Sequence, residues 1–261
     1  MKRTSTLVVG LAATLLLLGI GCDTVVTLDA PTVTTAAIDN GAKLRLSWTA
    51  VTDAKDYDIV TDDTTYTTEE LSFDVTTPSA TIKVYAVNGD DKSDATTIDC
   101  QVVETATLVL YGITDPDPNH PSGLAFAADG AASALSLGDA NKAALDFVCD
   151  DEQASVLPIG LINAGDYGWA QNAKGNAVAV ASGTDYDAAT IADAPGAYST
   201  QEGIAVSGLY FLWLDPTNNN WDVQDHFAKA KVVSIEDVGG AKKVTLKLGY
   251  QKVGGLRWLV N

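Results

Sequence analysis

Short runs in which apolar and polar residues alternate recur along the chain, and this alternation limits what the chain can fold into. Leu44, Leu46 and Trp48 fall on one side of such a run, and the stretch from Ile82 to Asn88 repeats the pattern. Successive side chains of a strand point to opposite faces of a sheet, so this spacing is typical of strands with one buried face. Turn-forming residues separate the runs. The sequence therefore predicts an all-β fold class.

Two β-domains account for the distribution of these runs. Residues 30–104 carry short alternating runs separated by turns, which predicts a small β-sandwich. Residues 105–261 include the continuous apolar stretch Leu209–Leu214, which predicts a central strand buried on both faces. We predict that this second region is a larger antiparallel β-domain.

One short helix is predicted in the second domain, over residues 184–192. Thr184 or Asp185 can cap its first turn, and Pro195 follows its end. This helix is the only interruption that we predict in an otherwise sheet-forming chain.

A resemblance to a known family lies in the first region. It rests on Pro31, the strand Leu46-Ser47-Trp48, Ala54 to Ile59, and Val84 to Asn88. The region resembles a fibronectin type III domain, and it departs from that family at Ile82, where a corner tyrosine is usual. The resemblance implies a two-sheet sandwich that serves as a spacer or a contact surface in bacterial surface proteins.

The N-terminal segment has the order of an export signal. Lys2 and Arg3 precede an apolar run from Leu7 to Ile20, and Gly21-Cys22 follows. The run is shorter than the roughly 20 apolar residues of a membrane-spanning helix. The segment resembles a bacterial lipoprotein signal, with Gly19 where leucine is usual.

This second resemblance implies a location for the protein. Residues 1–21 would be a signal peptide, Cys22 would carry a lipid, and residues 22–29 would be a short tether. The chain would then be anchored to a membrane of the bacterial cell envelope and face the periplasm or the outside. An ordinary cleaved signal without a lipid is the alternative that the residues leave open.

The charge of the chain excludes one class of partner. Its formal net charge is −18, and its acidic residues are scattered rather than gathered in a tail. Such a surface repels the phosphates of nucleic acids, so we predict no nucleic-acid partner. The partners that remain are the membrane, other surface proteins, a small ligand or a glycan.

Two cysteines remain besides Cys22, and they have two interpretations. An exported protein occupies an oxidising compartment, so Cys100 and Cys149 could form a disulfide. Each also lies in a strand-like run, where a single cysteine behaves as a small buried hydrophobic residue.

A proline-rich loop in the second domain combines carboxylates with an imidazole. Asp115, Asp117 and His120 alternate there with three prolines. Carboxylate oxygens suit calcium, so Asp115 and Asp117 are candidate ligands. The alternative is a rigid surface loop in which the aspartates form Asx turns.

Aromatic residues among glycine and asparagine suggest a second kind of site. Tyr167 and Trp169 lie in such a loop, and Trp221 lies in another. Exposed aromatic rings can stack on sugar rings, which would make the protein a carbohydrate-binding accessory. The same rings can equally cover an edge of the core.

The order of strands and loops in the second region is similar to that of a known family. The likeness lies in a phenylalanine-containing strand near its start, an Ala-Pro loop, and an aromatic strand followed by Phe227-Ala228-Lys229. In this order the region resembles the β-domain of HmuY-type lipoproteins. The resemblance implies haem as a cofactor, held by paired histidines, for which the chain offers only His120 and His226.

The sequence contains no recognisable active-site motif. A nucleophile needs an adjacent base, and the chain contains two histidines and no GxSxG motif. We therefore predict a non-catalytic, surface-anchored binding or structural module that works through protein contacts and needs no cofactor. Capture of haem or a glycan is the alternative, and a pocket lined by Trp169, Trp221 and His226 would favour it.

Overall fold

The computed structural model describes residues 27–153, 156, 158–165, 168–169 and 174–261. The predicted signal, Cys22 and Tyr167 lie outside the described residues. Within these ranges, no helix has both the length and the apolar character needed to span a membrane.

The first part of the described chain forms two antiparallel sheets. Its strands are β1 (Val33–Ile38), β2 (Lys43–Trp48), β3 (Asp56–Val60), β4 (Thr65–Thr68), β5 (Ser72–Val75), β6 (Thr81–Asn88), β7 (Asp91–Lys92) and β8 (Thr96–Asp99). One sheet has the order β1-β2-β5. The other has the order β4-β3-β6-β7, and β8 also pairs with β6.

The alternating runs turn their apolar sides toward a common core between these sheets. Leu44 and Leu46 of β2 are fully buried, as are Ile59 of β3 and Ile82 and Val84 of β6. Ile82, at the position where the resemblance implies a corner tyrosine, is an aliphatic core residue. We call this unit the first sandwich.

The second part of the chain forms two five-stranded antiparallel sheets. Its strands are β9 (Val103–Tyr111), β10 (Gly123–Phe126), β11 (Ala132–Leu135), β12 (Phe147–Asp150), β13 (Gly160–Asn163), β14 (Ala177–Val180), β15 (Gln201–Gly203), β16 (Leu209–Leu214), β17 (His226–Val238) and β18 (Ala241–Tyr250). Their orders are β11-β10-β12-β13-β15 and β14-β16-β17-β18-β9. The predicted boundary between residues 104 and 105 falls within β9, and it stays a prediction.

These two sheets pack face to face around the largest apolar cluster. Leu124 and Phe147 enter it from one sheet, and Leu110, Leu212 and Leu246 enter it from the other. We call this unit the second sandwich. The all-β fold class predicted from the alternation is confirmed.

The predicted central strand is confirmed in β16. All of its residues from Leu209 to Leu214 are buried. Leu212 faces the core of the second sandwich, whereas Phe211 and Trp213 face a separate apolar cluster on the outer side of the sheet. A strand covered on both faces needs no polar alternation, which explains its continuous apolar sequence.

The prediction of a short helix over residues 184–192 is wrong, because these residues do not form a helix. Asp185 does cap a turn, because its Oδ1 accepts hydrogen bonds from the backbone N–H groups of Asp187 and Ala188. The chain then extends instead of coiling, since Ile191 forms an antiparallel bridge with Trp258. Among the described residues, helical geometry is confined to the 3-10 turn Pro195–Ala197.

Residues 251–260, which we call the C-terminal clasp, connect the two sandwiches. Leu256 and Trp258 are fully buried in the core of the first sandwich. Trp258 Nε1 donates a hydrogen bond to the Ala42 carbonyl at 3.0 Å. Gln251 Nε2 donates to the carbonyls of Cys100 at 2.9 Å and of Trp258 at 2.7 Å. The clasp therefore completes a core whose strands lie far away in the sequence.

The proposed Cys100–Cys149 disulfide is not formed. Both cysteines are buried and unbonded. Cys100 belongs to the core of the first sandwich and Cys149 to that of the second, so neither side chain can reach the other. Their behaviour as small buried hydrophobic residues follows from this placement.

We expect both thiols to be inert until the protein unfolds. Burial raises the pKa of the Cys100 thiol to about 12 and also raises the pKa of the Cys149 thiol, which leaves little reactive thiolate at neutral pH. A Cys22→Ser variant treated with a maleimide should gain no label when folded and two labels in denaturant. No label in non-reducing denaturant, with two labels after reduction, would indicate an oxidised pair instead.

Candidate functional site

Trp169, Trp221 and His226, which the sequence singles out and the structure describes, lie in different surroundings. Trp169 packs against the cluster that contains Leu145 and Val148. Trp221 packs near the C-terminal clasp, where its Nε1 donates a hydrogen bond to the Gly255 carbonyl at 2.8 Å. His226 begins β17. Trp169 and Trp221 therefore pack against different parts of the molecule, and the pocket that would have favoured a haem or glycan ligand gains no support from their placement.

The proline-rich loop is held by its own side chains. Asp115 Oδ1 accepts the backbone N–H of Asp117, and Asp117 Oδ1 accepts that of Asn119, both at 2.9 Å. The Asn119 contact lowers the pKa of Asp117. These are the Asx turns of the alternative interpretation. In the described part of the chain, no three histidine, cysteine or acidic side chains are grouped to hold a metal ion, so the calcium interpretation gains no support.

The two histidines lie at opposite ends of one sheet. The His120 ring stacks on Tyr111, with ring centres 3.8 Å apart, and the His226 ring stacks on Tyr250 at 5.1 Å. Tyr111 pairs with Lys243 on β18, and Tyr250 ends that strand. At about 3.3 Å per residue, the two positions are roughly 23 Å apart. The paired-histidine arrangement implied by the HmuY resemblance is not formed, because the two rings cannot meet at one iron.

His226 instead lines a cleft at one end of the second sandwich, which we call the end cleft. The cleft lies where β16 and β18 of one sheet end and β17 begins, beside the end of β10 in the other sheet. Its volume is about 180 Å³. It is lined by Phe126, Asp146, Lys174, Asn176, Leu214, Pro216, His226 and Tyr250.

Three stacked rings form one wall of the end cleft. The rings of Phe126 and Tyr250 have centres 5.3 Å apart, and both this pair and the Tyr250–His226 pair are inclined by 23°. His226 Nδ1 lies 3.0 Å from the Gln251 carbonyl, which can only accept a hydrogen bond. Nδ1 therefore carries the proton. Burial lowers the pKa of His226, so the ring is neutral at pH 7 and Nε2 is a hydrogen-bond acceptor.

A buried ion pair forms the polar side of the end cleft. Asp146 is only 5% exposed. Its Oδ1 accepts Lys174 Nζ at 2.7 Å, and its Oδ2 accepts the backbone N–H of Phe126 at 2.8 Å. Asn176 Nδ2 also donates to Oδ1 at 3.2 Å. The carboxylate thus accepts three hydrogen bonds, whereas the ammonium group has three N–H donors and, among the described residues, uses one of them on Asp146.

The segment that carries Lys174 is fixed by further buried groups. Asn163 Nδ2 donates to the Lys174 carbonyl at 2.7 Å. Asn176 Oδ1 accepts the backbone N–H of Asp215 at 2.9 Å, and the backbone N–H of Gly175 donates to the Asp215 carbonyl at 2.8 Å. The position of the Lys174 head group is thus set by a connected hydrogen-bond network.

Sequence reasoning missed Asp146 and its partners. Asp146 interrupts the otherwise apolar run Leu145–Cys149, and a carboxylate inside a buried strand run is a local inconsistency that marks special positions. The unusual position of Asp146 could therefore have been recognised from the sequence. Its pairing with Lys174 and Asn176 could not, because nearly thirty residues separate them from Asp146.

A larger cleft of about 520 Å³ runs along residues 181–193 beside Leu209 and Phe211. Most of its lining residues are small, and the Asp185 carboxylate is occupied in capping the turn. Lys229, which is fully buried, secures this segment by donating from Nζ to the carbonyls of Tyr186 at 2.8 Å and Ala189 at 3.3 Å. This cleft offers fewer oriented polar groups than the end cleft.

Comparison with known proteins gives limited similarity. No protein family model and no curated protein sequence matches the chain. Among solved structures, a fibronectin type III-like protein, described as FN3tt mut, is 30% identical over 28% of this chain and 92% of its own, with a TM-score of 0.24. A DUF4466 family protein from Parabacteroides merdae is 10% identical over 88% of this chain and 100% of its own, with a TM-score of 0.40.

Proposed function

We propose that the chain is a non-catalytic binding or structural module of the bacterial cell envelope, tethered through a lipid on Cys22 and acting through contacts with other surface proteins. The first sandwich would be a divergent fibronectin type III domain that serves as spacer and contact surface. The observation that supports this proposal best is the C-terminal clasp. Trp258 and Gln251 bind the first sandwich through buried side chains and hydrogen bonds, which would hold the two sandwiches together as one contact module.

An exposed apolar group on the first sandwich is the contact surface that we favour. Leu71 is 43% exposed, and it lies between β4 and β5, the edge strands of the two sheets. The nearby rings of Tyr66 and Phe73 contact each other in a tilted arrangement, with centres 4.9 Å apart, and are only partly buried. Edge strands with apolar neighbours are natural sites for protein association.

The tether is tested by metabolic labelling. Cells that express the full chain and are fed labelled palmitate should incorporate the label into the wild-type protein, because a modified cysteine is the attachment point that the signal implies. The Cys22→Ser variant should remain unlabelled. Equal labelling of the two proteins, or none in either, would contradict the lipid anchor.

The contact surface is tested separately by photo-crosslinking in the same cells. A photoreactive residue at position 71 should give a discrete adduct with an envelope protein. The same residue at Val223, which is 58% exposed, is the control and should give none. Adducts of equal yield at both positions, or none at position 71, would contradict a specific protein contact there.

A further inference from the structure

The end cleft has room for one small ring. Its volume of about 180 Å³ is below the range of about 300–1,000 Å³ that is usual for drug-sized ligands. A macrocycle or a long peptide side chain would not be enclosed by it. The ring of Phe126 and the side chains of Leu214 and Pro216 provide apolar surface against which one face of a small ring can pack.

The charges around the end cleft are balanced. Lys174 Nζ and Asp146 Oδ1 pair at 2.7 Å, and His226 is neutral in the tautomer set by the Gln251 carbonyl. The whole chain carries a net charge of −18, which repels an approaching anion. An anionic ligand would gain little from an ammonium group that is already paired. The site therefore suits an uncharged ligand.

The polar groups of the end cleft have opposite hydrogen-bonding character. Lys174 Nζ can only donate, and within the described residues only one of its three N–H donors is used, on Asp146. His226 Nε2 can only accept, because Nδ1 donates to Gln251. A hydroxyl group can serve both, since it accepts from the first and donates to the second. A ring with several hydroxyl groups and an apolar face matches this combination of neighbours.

We propose that the end cleft binds one neutral sugar ring, whose hydroxyl groups contact Lys174 Nζ and His226 Nε2 while its apolar face packs on Phe126, Leu214 and Pro216. This site is distinct from the protein contact surface proposed above. It also differs from the glycan site predicted from Trp169, Tyr167 and Trp221. The Asp146–Asn176 network orients Lys174 before the ligand arrives, which lowers the entropy lost on binding.

The test is saturation-transfer difference NMR on the purified protein with individual sugars. Glucose, galactose, mannose and N-acetylglucosamine are the neutral probes, each at about 10 mM, because a one-ring ligand is expected to have a dissociation constant on the order of 1 mM. At least one of them should receive saturation from the protein. Glucuronate, an anion of the same ring size, should bind more weakly than glucose. A disaccharide that binds more tightly than its terminal monosaccharide would indicate the end of a glycan as the natural source.

Two substitutions test the assigned contacts. His226→Phe keeps an aromatic ring beside Tyr250 but removes Nε2, and Lys174→Gln removes the ammonium group. Each should weaken sugar binding at least about tenfold, since each removes a hydrogen bond to an oriented group. His120→Phe is the matched control, because it changes the other histidine, which stacks on Tyr111 at the far end of the sheet. It should leave binding unchanged.

The proposal fails on several outcomes. The absence of saturation transfer from every neutral probe would overturn it, as would tighter binding of glucuronate than of glucose. Equal affinity in the wild type and in a His226→Phe variant whose circular dichroism matches the wild type would place the sugar elsewhere. These outcomes are independent of palmitate labelling and of crosslinking at position 71, so the sugar site and the protein contact can fail separately.

Discussion

Replacing Trp258 with alanine is expected to lower the free energy of unfolding by about 3–5 kcal/mol, the range for deleting a buried large aromatic side chain. Trp258 is fully buried in the first sandwich, and its indole N–H satisfies the Ala42 carbonyl. The substitution removes the ring from the core and leaves that carbonyl without its donor. Urea unfolding of the Trp258→Ala variant, followed by circular dichroism, measures the loss.

The location of the effect is as informative as its size. Trp258 comes from the C-terminal clasp but packs among β-strands of the first sandwich, so hydrogen exchange should accelerate at Leu44 and Leu46 as well as in the clasp. Val223→Ala, at a 58% exposed position, is the control and should change stability by less than about 0.5 kcal/mol. A loss below about 1 kcal/mol for Trp258→Ala would show that the clasp contributes little to the first sandwich.

Asp225 is expected to make the protein more stable as the pH falls from 7.5 to 4.5. Its side chain is fully buried, and burial raises its pKa from 3.8 to about 6. Its Oδ2 accepts the backbone N–H of Asp222. Within the described chain, its Oδ1 has no hydrogen-bond partner of good geometry, although the indole of Trp213 offsets part of the rise. Asp215 and Asp222 are the charged groups that raise the pKa further.

The direction of this change in stability follows from how tightly the folded and unfolded states bind the proton. A carboxyl whose pKa is higher in the folded state than in the unfolded state binds its proton more tightly when folded, so protonation below pH 6 adds stability. At 1.36 kcal/mol per pKa unit, the gain between pH 7.5 and 4.5 is about 2 kcal/mol. The measurement is urea unfolding at both pH values. The Asp225→Asn variant, which cannot titrate there, should lack this part of the pH dependence. Identical pH dependence in both proteins would contradict the assignment.

The strands were predictable because their physical cause is local. Leu44 and Leu46 alternate with polar residues, which indicates a strand with one buried face. The run Leu209–Leu214 is continuously apolar, which indicates a strand with both faces buried. The predicted helix failed for the opposite reason. The cap at Asp185 forms as predicted, but the bridge between Ile191 and Trp258 overrides the local signal, and no local pattern reveals that bridge.

The candidate site was less predictable than the fold. His226 was identified as a candidate ligand residue, and it does line the end cleft. The lining of that cleft does not include Trp169 or Trp221, because the sequence indicates which residues are unusual but not which of them meet. Lys174 and Asp146 become neighbours only when the ends of the two sheets come together. A site built from strand ends of different sheets depends on the topology of the fold. The spacing of residues along the sequence does not reveal that topology.

The insertion of Trp258 has a consequence for biosynthesis. Its hydrogen-bond partner Ala42 is made 216 residues earlier. At about 5–20 residues per second, the ribosome reaches Trp258 roughly 10–40 seconds after Ala42. During that interval the early strands lack one of their largest interior side chains and remain open to chaperones. The late arrival of a single indole therefore delays the maturation of the part of the protein that is synthesised first.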